Sequence, residues 1–168
     1  MFARNLVSSS RTAARSVRPT QMMAVRGLKS KPIFTANTTV KGARQGSVVG
    51  EALDLKLSTS KILGKESDGK TNPEEMFSGG FAACFASACN AVALKRNITL
   101  PEDLVVDSTV ALCGDMKKLD MFLEVELKIK SPEKIDKATM QEIVDEAEKV
   151  CPYSRAVRGN IDVTVSVV

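Results

Sequence analysis

The 168-residue chain has 24 basic and 20 acidic residues, a formal net charge of +4, and 43% hydrophobic residues. That length and composition suit one domain with an ordinary hydrophobic core. The sequence contains no histidine, which excludes Ser-His and Cys-His catalytic pairs and most zinc or iron ligand sets. Any nucleophile in this chain must therefore be activated by a different kind of group.

The first 28 residues have the composition of a mitochondrial transit peptide. They combine Ser, Thr and small apolar residues with five arginines, and the first acidic residue of the chain is Glu51. A disordered basic arm that binds nucleic acid or acidic partners is the alternative, but the alternation of Arg with small and apolar residues favours the transit peptide. Without those five arginines, 19 basic residues face 20 acidic ones, a net charge of −1. The basic pI is then no argument for nucleic-acid binding.

The stretch from 71 to 95 is the most continuously apolar part of the chain and predicts a helix. Asn72 suits its cap and Pro73 its first turn, and the acidic pair that follows places negative charge where the helix dipole favours it. Along one helical face, apolar residues recur at spacings of three or four: Phe77, Phe81, Cys84, Ala88 and Val92. We therefore expect a central helix that is covered on most sides, with Cys84 buried.

Alternation of apolar and polar residues predicts strands on both sides of this helix. Residues 34–40 and 52–58 alternate, and the segment 41–50 between them has three glycines around Arg44, which predicts a tight turn or hairpin. After the helix, residues 104–112 alternate as well. Residues 123–129 alternate most clearly, with Leu, Val and Ile on one side and Glu and Lys on the other. A strand with one apolar face that packs on the core and one polar face that is exposed to solvent is typical of an antiparallel sheet.

The C-terminal part predicts a second helix and a last strand. Residues 135–150 place apolar side chains at helical spacing among acids and lysines. Pro152 ends this helix because proline cannot continue the hydrogen-bond ladder, so Cys151 lies at a break. Residues 161–167 alternate in a final strand. Strands interrupted by two helices define an α+β fold, and we expect no membrane span in the chain.

The four cysteines have different expected roles when each is considered alone. Cys84 on an apolar helical face is more often a small core residue than a nucleophile. Cys151, which precedes a possible helical turn at Pro152, is equally open to a structural and a reactive role. Cys89 lies about 140° from Cys84 around the helix and is expected to pack, and Cys113 is expected to have no role. Because CxxC-like pairs are missing, a zinc centre built from all four is the weakest interpretation.

Three strings together resemble the Ohr/OsmC family of thiol peroxidases, and in particular its organic hydroperoxide resistance branch. They are KGARQG at 41–46, TNPEEMFSGGFAACF at 71–85 and CPYSRAVRGNIDV at 151–163. The resemblance implies an OsmC-like α+β fold with antiparallel sheets, a buried central helix and an intertwined homodimer with two active sites near the interface. The expected organisation is a cleaved transit peptide at 1–28 and an Ohr/OsmC-like peroxidase domain at 33–168.

The resemblance also implies roles for individual residues of this chain. Cys84 aligns with the family's peroxidatic cysteine, Cys151 with its resolving cysteine, and Arg44 and Glu74 with its arginine and glutamate. A guanidinium can hold a thiolate and donate hydrogen bonds to the peroxide, and the carboxylate would orient the guanidinium through a bidentate contact. The thiolate attacks the peroxide, an alcohol leaves, and the sulfenic acid condenses with the second thiol to a disulfide.

The family's substrates are bulky organic or fatty-acid hydroperoxides, and its reductant is a dihydrolipoyl group on a lipoylated protein. An apolar pocket lined by Phe77 and Phe81 would favour such substrates over hydrogen peroxide. We expect no bound cofactor, only dihydrolipoamide or a lipoylated protein as the reductant. Lipoylated complexes reside in the mitochondrial matrix, which agrees with the transit peptide and gives the expected localisation.

Two features of the chain depart from the family pattern. Gly42-Ala43 precedes Arg44 where the family usually has two glycines, and the turn at 113–119 lacks the usual Gly-Pro-rich loop and carries an extra cysteine.

The alternative function from another class is a non-enzymatic module of the same fold that binds an apolar ligand or a partner protein. Such a module has no need of the cysteine pair, the arginine and the glutamate together.

The spacing between the aligned residues raises a geometric question. On one straight helix, Glu74 and Cys84 would lie about 15 Å apart at a rise of 1.5 Å per residue. We therefore expect either that Arg44 spans this gap or that Gly79 and Gly80 bend the helix.

Overall fold

The computed structural model of the chain describes residues 31–66 and 68–168. The predicted transit peptide at 1–28 lies outside these residues and stays a prediction. Contacts divide the chain after Thr35, and the compact unit discussed below is Ala36–Val168.

The first sheet contains three short antiparallel strands in the order β1 (Thr38–Lys41), β2 (Ser47–Gly50) and β3 (Asp54–Lys56). The expected turn at 41–50 is wrong in its extent, because residues 47–50 form β2 and only the preceding residues turn. The chain reverses direction in a tight turn that ends at Gly46, where a Cβ would overlap the carbonyl oxygen of Lys41. A 3-10 helix at Ala43–Gln45 fills the turn and carries Arg44.

The predicted central helix is confirmed as α1, Pro73–Lys95. The Asn72 side chain accepts a hydrogen bond from the backbone N–H of Glu75 at 2.8 Å and so caps the first turn. The helix buries one face, which consists of Phe81, Phe85, Ala88, Cys89, Val92 and Ala93. The expected burial of Cys84 is wrong, because this face runs through Phe85 and Cys89 and leaves Cys84 half-buried at its edge.

The second sheet contains β4 (Val106–Asp115), β5 (Asp120–Ile129) and β6 (Asp162–Val167), with β5 in the middle. β4 and β5 form an antiparallel hairpin, and β6 pairs with β5 in parallel. The predicted buried face of residues 123–129, which lie in β5, is confirmed, since Val125, Leu127 and Ile129 are buried. The parallel pairing of β6 requires a crossover, which the two C-terminal helices provide.

Helix α2 (Lys137–Val150) confirms the predicted second helix, and α3 (Pro152–Val157) follows after the predicted break. Asp136 caps α2 by accepting a hydrogen bond from the Thr139 backbone N–H at 2.9 Å. Arg96, at the end of α1, donates to Glu142 at 2.7 Å and to Glu146 at 2.9 Å and so links α1 to α2.

One core joins α1, α2 and the second sheet. Its fully buried side chains include Phe81 and Phe85 of α1, Leu127 of β5, and Met140 and Ile143 of α2. Among the described residues, only α1 has the length and apolar composition that a membrane-crossing helix needs. Its central side chains pack into the core, as expected of the buried central helix. The predicted α+β fold is confirmed.

Candidate active site

Two of the four cysteines meet where α1, α2 and α3 come together. The Cys151 Sγ–H donates to the Sγ of Cys84 over 3.7 Å. Cys151 is fully buried, whereas Cys84 is half-buried and lines a cavity of about 390 Å³. A disulfide needs about 2.05 Å between its sulfurs, so the two thiols are close enough to bond after a small movement.

Cys151 is held in place because it belongs to two helices. Its backbone N–H donates to the carbonyl of Ala147 at 2.8 Å and ends α2, and its carbonyl accepts from the N–H of Arg155 at 3.0 Å and begins α3. Pro152 occupies the first position of α3, where its missing N–H leaves no helical bond unmade. The backbone hydrogen bonds of both helices therefore fix the position of the Cys151 main chain, from which the side chain with its sulfur extends.

Three causes act on the pKa of the Cys84 thiol. Burial raises the pKa most, a hydrogen bond from the backbone N–H of Tyr153 lowers it, and the neighbouring Cys151 raises it. The net pKa lies above the ordinary value, so the groups of a single chain leave Cys84 protonated at neutral pH. Sequence reasoning did not identify Tyr153. Its signal is Pro152, which starts a helical turn whose first N–H groups have no helical partner.

Arg44 and Glu74 form the bidentate pair that the resemblance implies. Arg44 Nη1 donates to Glu74 Oε2 at 2.8 Å and Nη2 donates to Oε1 at 2.6 Å. The hydrogen bond from Arg44 holds the pKa of Glu74 below its ordinary value, so Glu74 is a carboxylate at neutral pH. The preceding Ala43 has φ +49°, a left-handed conformation that costs a residue with a Cβ roughly 1–2 kcal/mol.

The single chain does not bring this pair into one cavity with the thiols. Glu74 lies in the first turn of α1 and Cys84 ten residues later, about 15 Å along the axis. The helix continues through Gly79 and Gly80 without a break, and Arg44 is not among the groups that shift the pKa of Cys84. The Arg44–Glu74 pair instead lines a separate cavity of about 570 Å³.

The larger cavity is partly apolar, with Ile62, Val110, Leu112, Met116 and Met121 among its lining residues. Phe77 and Phe81, the residues expected to line a substrate pocket, contact the ring of Tyr153 with centroid distances of 5.9 Å and 5.7 Å. Neither phenylalanine is among the residues that line the two cavities described here, and Phe81 is fully buried.

The other two thiols differ from the pair in their surroundings. Cys89 is fully buried in the core, and burial raises its pKa to about 12. A thiol of that kind is a poor nucleophile. Cys113 is half-buried and lines the larger cavity, and its pKa is raised first by burial and then by Glu124. Across residues 31–66 and 68–168, no three Cys, Asp or Glu side chains are grouped in a way that could hold a metal ion.

Known proteins are similar to this chain in both sequence and architecture. The family model for OsmC-like proteins matches residues 64–166. An organic hydroperoxide resistance protein from Xanthomonas axonopodis pv. citri is 45% identical over 138 residues, which cover 81% of this chain and 95% of that protein. OhrA, an organic hydroperoxide resistance protein of Bacillus subtilis, is 36% identical over 141 residues, covering 82% and 98%. A solved organic hydroperoxide resistance protein from Legionella pneumophila superposes with a TM-score of 0.73 at 38% identity, covering 82% of this chain and 98% of its own.

The fold and the site define an α+β protein with a pair of adjacent thiols on a central helix and the helix junction beside it. The family-model match includes Cys84, Cys151 and the motif strings at 71–85 and 151–163. The chain therefore belongs to the Ohr/OsmC family.

Proposed function

We propose that this protein is a thiol peroxidase that reduces organic hydroperoxides to alcohols. The observation that carries the proposal is the pair of sulfurs of Cys84 and Cys151, which lie 3.7 Å apart with one of them beside a cavity. Relatives that align over most of the chain are named organic hydroperoxide resistance proteins, which supports the class of substrate. Lipid and fatty-acid hydroperoxides are the members of that class that we propose.

In the proposed reaction, the Cys84 thiolate attacks the terminal oxygen of the hydroperoxide. The S–O bond forms as the O–O bond breaks, the alkoxide takes up a proton and leaves as the alcohol, and Cys84 becomes a sulfenic acid. The Cys151 thiol then attacks that sulfur, which forms the disulfide and releases water. A dithiol, for which we propose dihydrolipoamide or a lipoylated protein, restores both thiols by exchange and leaves as its own disulfide.

The proposed active site is shared between two copies of the chain in a homodimer. Within one chain, Cys84 has a raised pKa and Arg44 does not contribute to it, yet the reaction needs a thiolate. A guanidinium beside the sulfur would favour the charged form. Because Arg44 is paired with Glu74 about ten residues from Cys84 along α1, we propose that the Arg44–Glu74 pair of one protomer serves the thiol of its partner.

Mixing two inactive variants tests this shared site. Cys84→Ser and Arg44→Met subunits are each expected to lack activity, but together they form heterodimers with one intact site. Random pairing makes half of the dimers heterodimers, so about a quarter of wild-type activity is expected after joint unfolding and refolding. Recovery no greater than that of each variant refolded alone would contradict the shared site and leave the thiol chemistry standing.

We propose the mitochondrial matrix as the location. The support is the arginine-rich composition of residues 1–28, which lack acidic residues, together with the proposed lipoyl reductant.

Intact mass and peptide mapping test the proposed function directly. The reduced protein is treated with one equivalent of an organic hydroperoxide and then digested without reduction. A loss of two hydrogens that maps to a peptide pair linking Cys84 with Cys151 is the expected result. No change, or slow oxidation scattered over all four thiols, would contradict the peroxidase and favour the module that binds an apolar ligand or partner.

A further inference from the structure

Three aromatic rings connect α1 to the start of α3. Phe77 and Phe81, one turn apart on α1, meet edge to face at a centroid distance of 5.9 Å. The Tyr153 ring lies against both, at 5.9 Å and 5.7 Å. We call these three residues the aromatic cluster. Tyr153 is the second residue of α3 and lies two positions after Cys151.

The Tyr153 ring is seated on the backbone of α1 at Gly80. A Cβ on Gly80 would lie 3.0 Å from the Tyr153 hydroxyl oxygen and 3.5 Å from Cζ. The adjacent Gly79 has no atom within 4 Å of the same position. The side chain that is missing at Gly80 is therefore what leaves room for the ring, whereas Gly79 faces open space in the chain.

The main chain of Tyr153 is part of the thiol site. Its backbone N–H lowers the pKa of the Cys84 thiol, and its neighbour two residues earlier carries the second sulfur, 3.7 Å from the first. Helix α3 has only six residues and buries only Ser154, and a helix that short has little stability of its own. Its position relative to Cys84 must come from contacts with the rest of the fold, and the aromatic cluster supplies such contacts at the first turn.

We propose that Tyr153 is a positioning residue of the thiol pair, whose ring, seated over Gly80 and held by Phe77 and Phe81, keeps the Cys151 sulfur and the Tyr153 N–H against Cys84. This inference rests on the proposed peroxidase function. The tyrosine hydroxyl takes part in no chemical step, and its oxygen is the atom nearest to the position that a Cβ on Gly80 would occupy.

Two neighbouring glycines provide a matched pair of variants. Gly80→Ala and Gly79→Ala make the same chemical change in the same helix, with the same gain in helix propensity. A Cβ on Gly80 requires the Tyr153 ring to move by a few tenths of an ångström, whereas a Cβ on Gly79 meets no atom within 4 Å. In the full-length protein, we measure the rate of Cys84–Cys151 disulfide formation after one equivalent of organic hydroperoxide, and the pH dependence of Cys84 alkylation by iodoacetamide, both by peptide mass.

Gly80→Ala is expected to slow disulfide formation by about threefold to tenfold. The added methyl group shifts the Tyr153 ring, and with it the first turn of α3, by a few tenths of an ångström, and a misplacement of 1 Å can cost roughly a hundredfold in rate. It is also expected to move the midpoint of Cys84 alkylation to higher pH, since the Tyr153 N–H no longer favours the thiolate. Gly79→Ala is expected to match the wild type in both measurements. A variant that is only less stable overall would keep the wild-type pH midpoint of Cys84 alkylation.

A rescue variant makes the inference specific. Tyr153→Phe removes the oxygen nearest to the added methyl group and leaves the next ring atom at 3.5 Å, an ordinary contact. Tyr153→Phe alone is the reference for this comparison, and adding Gly80→Ala to it is expected to leave the rate and the midpoint of Tyr153→Phe unchanged. Tyr153→Ala, which leaves α1 untouched, is expected to show the same losses as Gly80→Ala or larger ones.

Equal behaviour of Gly80→Ala and Gly79→Ala would overturn the positioning role, as would a double variant as slow as Gly80→Ala. A wild-type protein that forms no Cys84–Cys151 disulfide would instead overturn the proposed function, so the two failures are distinguishable.

Discussion

Cys84→Ser is expected to reduce hydroperoxide turnover to the uncatalysed background, a loss on the order of 10³-fold or more. The variant replaces the only thiol that combines a neighbouring thiol at 3.7 Å with exposure to a cavity among the described residues. A serine hydroxyl cannot form a sulfenic acid, and the chain has no histidine to activate it. Consumption of cumene hydroperoxide with dihydrolipoamide as the reductant measures the effect.

Cys113→Ser is the matched control for this experiment. Cys113 is also a half-buried thiol, but it lines the cavity of the Arg44–Glu74 pair, and the sulfur–sulfur contact in the described part of the chain does not involve it. Its replacement is expected to leave turnover within about twofold of wild type. Full activity in Cys84→Ser, or equal losses in both variants, would exclude Cys84 as the peroxidatic thiol.

Cys151→Ser is expected to separate the first oxidation from recycling. Cys84 remains, so one equivalent of hydroperoxide is still consumed in a single burst, and the sulfenic acid accumulates because no second thiol can condense with it. Steady-state turnover is expected to fall by roughly tenfold or more, since the dithiol must now attack a sulfenic acid instead of a disulfide. Rapid mixing measures the burst, and dimedone labelling of the Cys84 peptide measures the trapped acid.

The two cysteine variants are informative together. Cys84→Ser is expected to show no burst and no dimedone adduct, and Cys151→Ser is expected to show both. A Cys151→Ser protein with full steady-state turnover would mean that Cys151 is a packing residue. The burial of Cys151 would then be its whole role, which is the structural alternative that its sequence context leaves open.

The elements that local chemistry dictates could be predicted from the sequence. The cap at Asn72 and the alternation from Leu123 to Ile129 each depend on neighbouring residues and periodic burial, and both are confirmed. The strand at 47–50 was missed because glycines flank it and only its pairing with β1 and β3 defines it. Long-range pairing of that kind leaves little trace in a local pattern.

The sequence predicts which residues form the candidate site, but it does not predict their arrangement. The motif strings identify Arg44, Glu74, Cys84 and Cys151, and the structure brings them together as two separate pairs. The expected burial of Cys84 is wrong because the buried face, which does include Phe81 and Ala88 of the predicted stripe, extends toward Phe85 and Cys89 and leaves Cys84 at its edge. The approach of Tyr153 depends on how α3 docks on α1, which no local pattern specifies.

The deep burial of Cys89 has a consequence for the proposed reaction cycle. A peroxidase with four thiols, as proposed here, could join the wrong pair of sulfurs, and Cys89 is only five residues from Cys84. Burial raises the pKa of Cys89 to about 12, which makes it a poor nucleophile, whereas the sulfur of Cys151 lies 3.7 Å from that of Cys84. In the proposed reaction, the hydrophobic interior that stabilises the fold would therefore also disfavour a disulfide between Cys84 and Cys89.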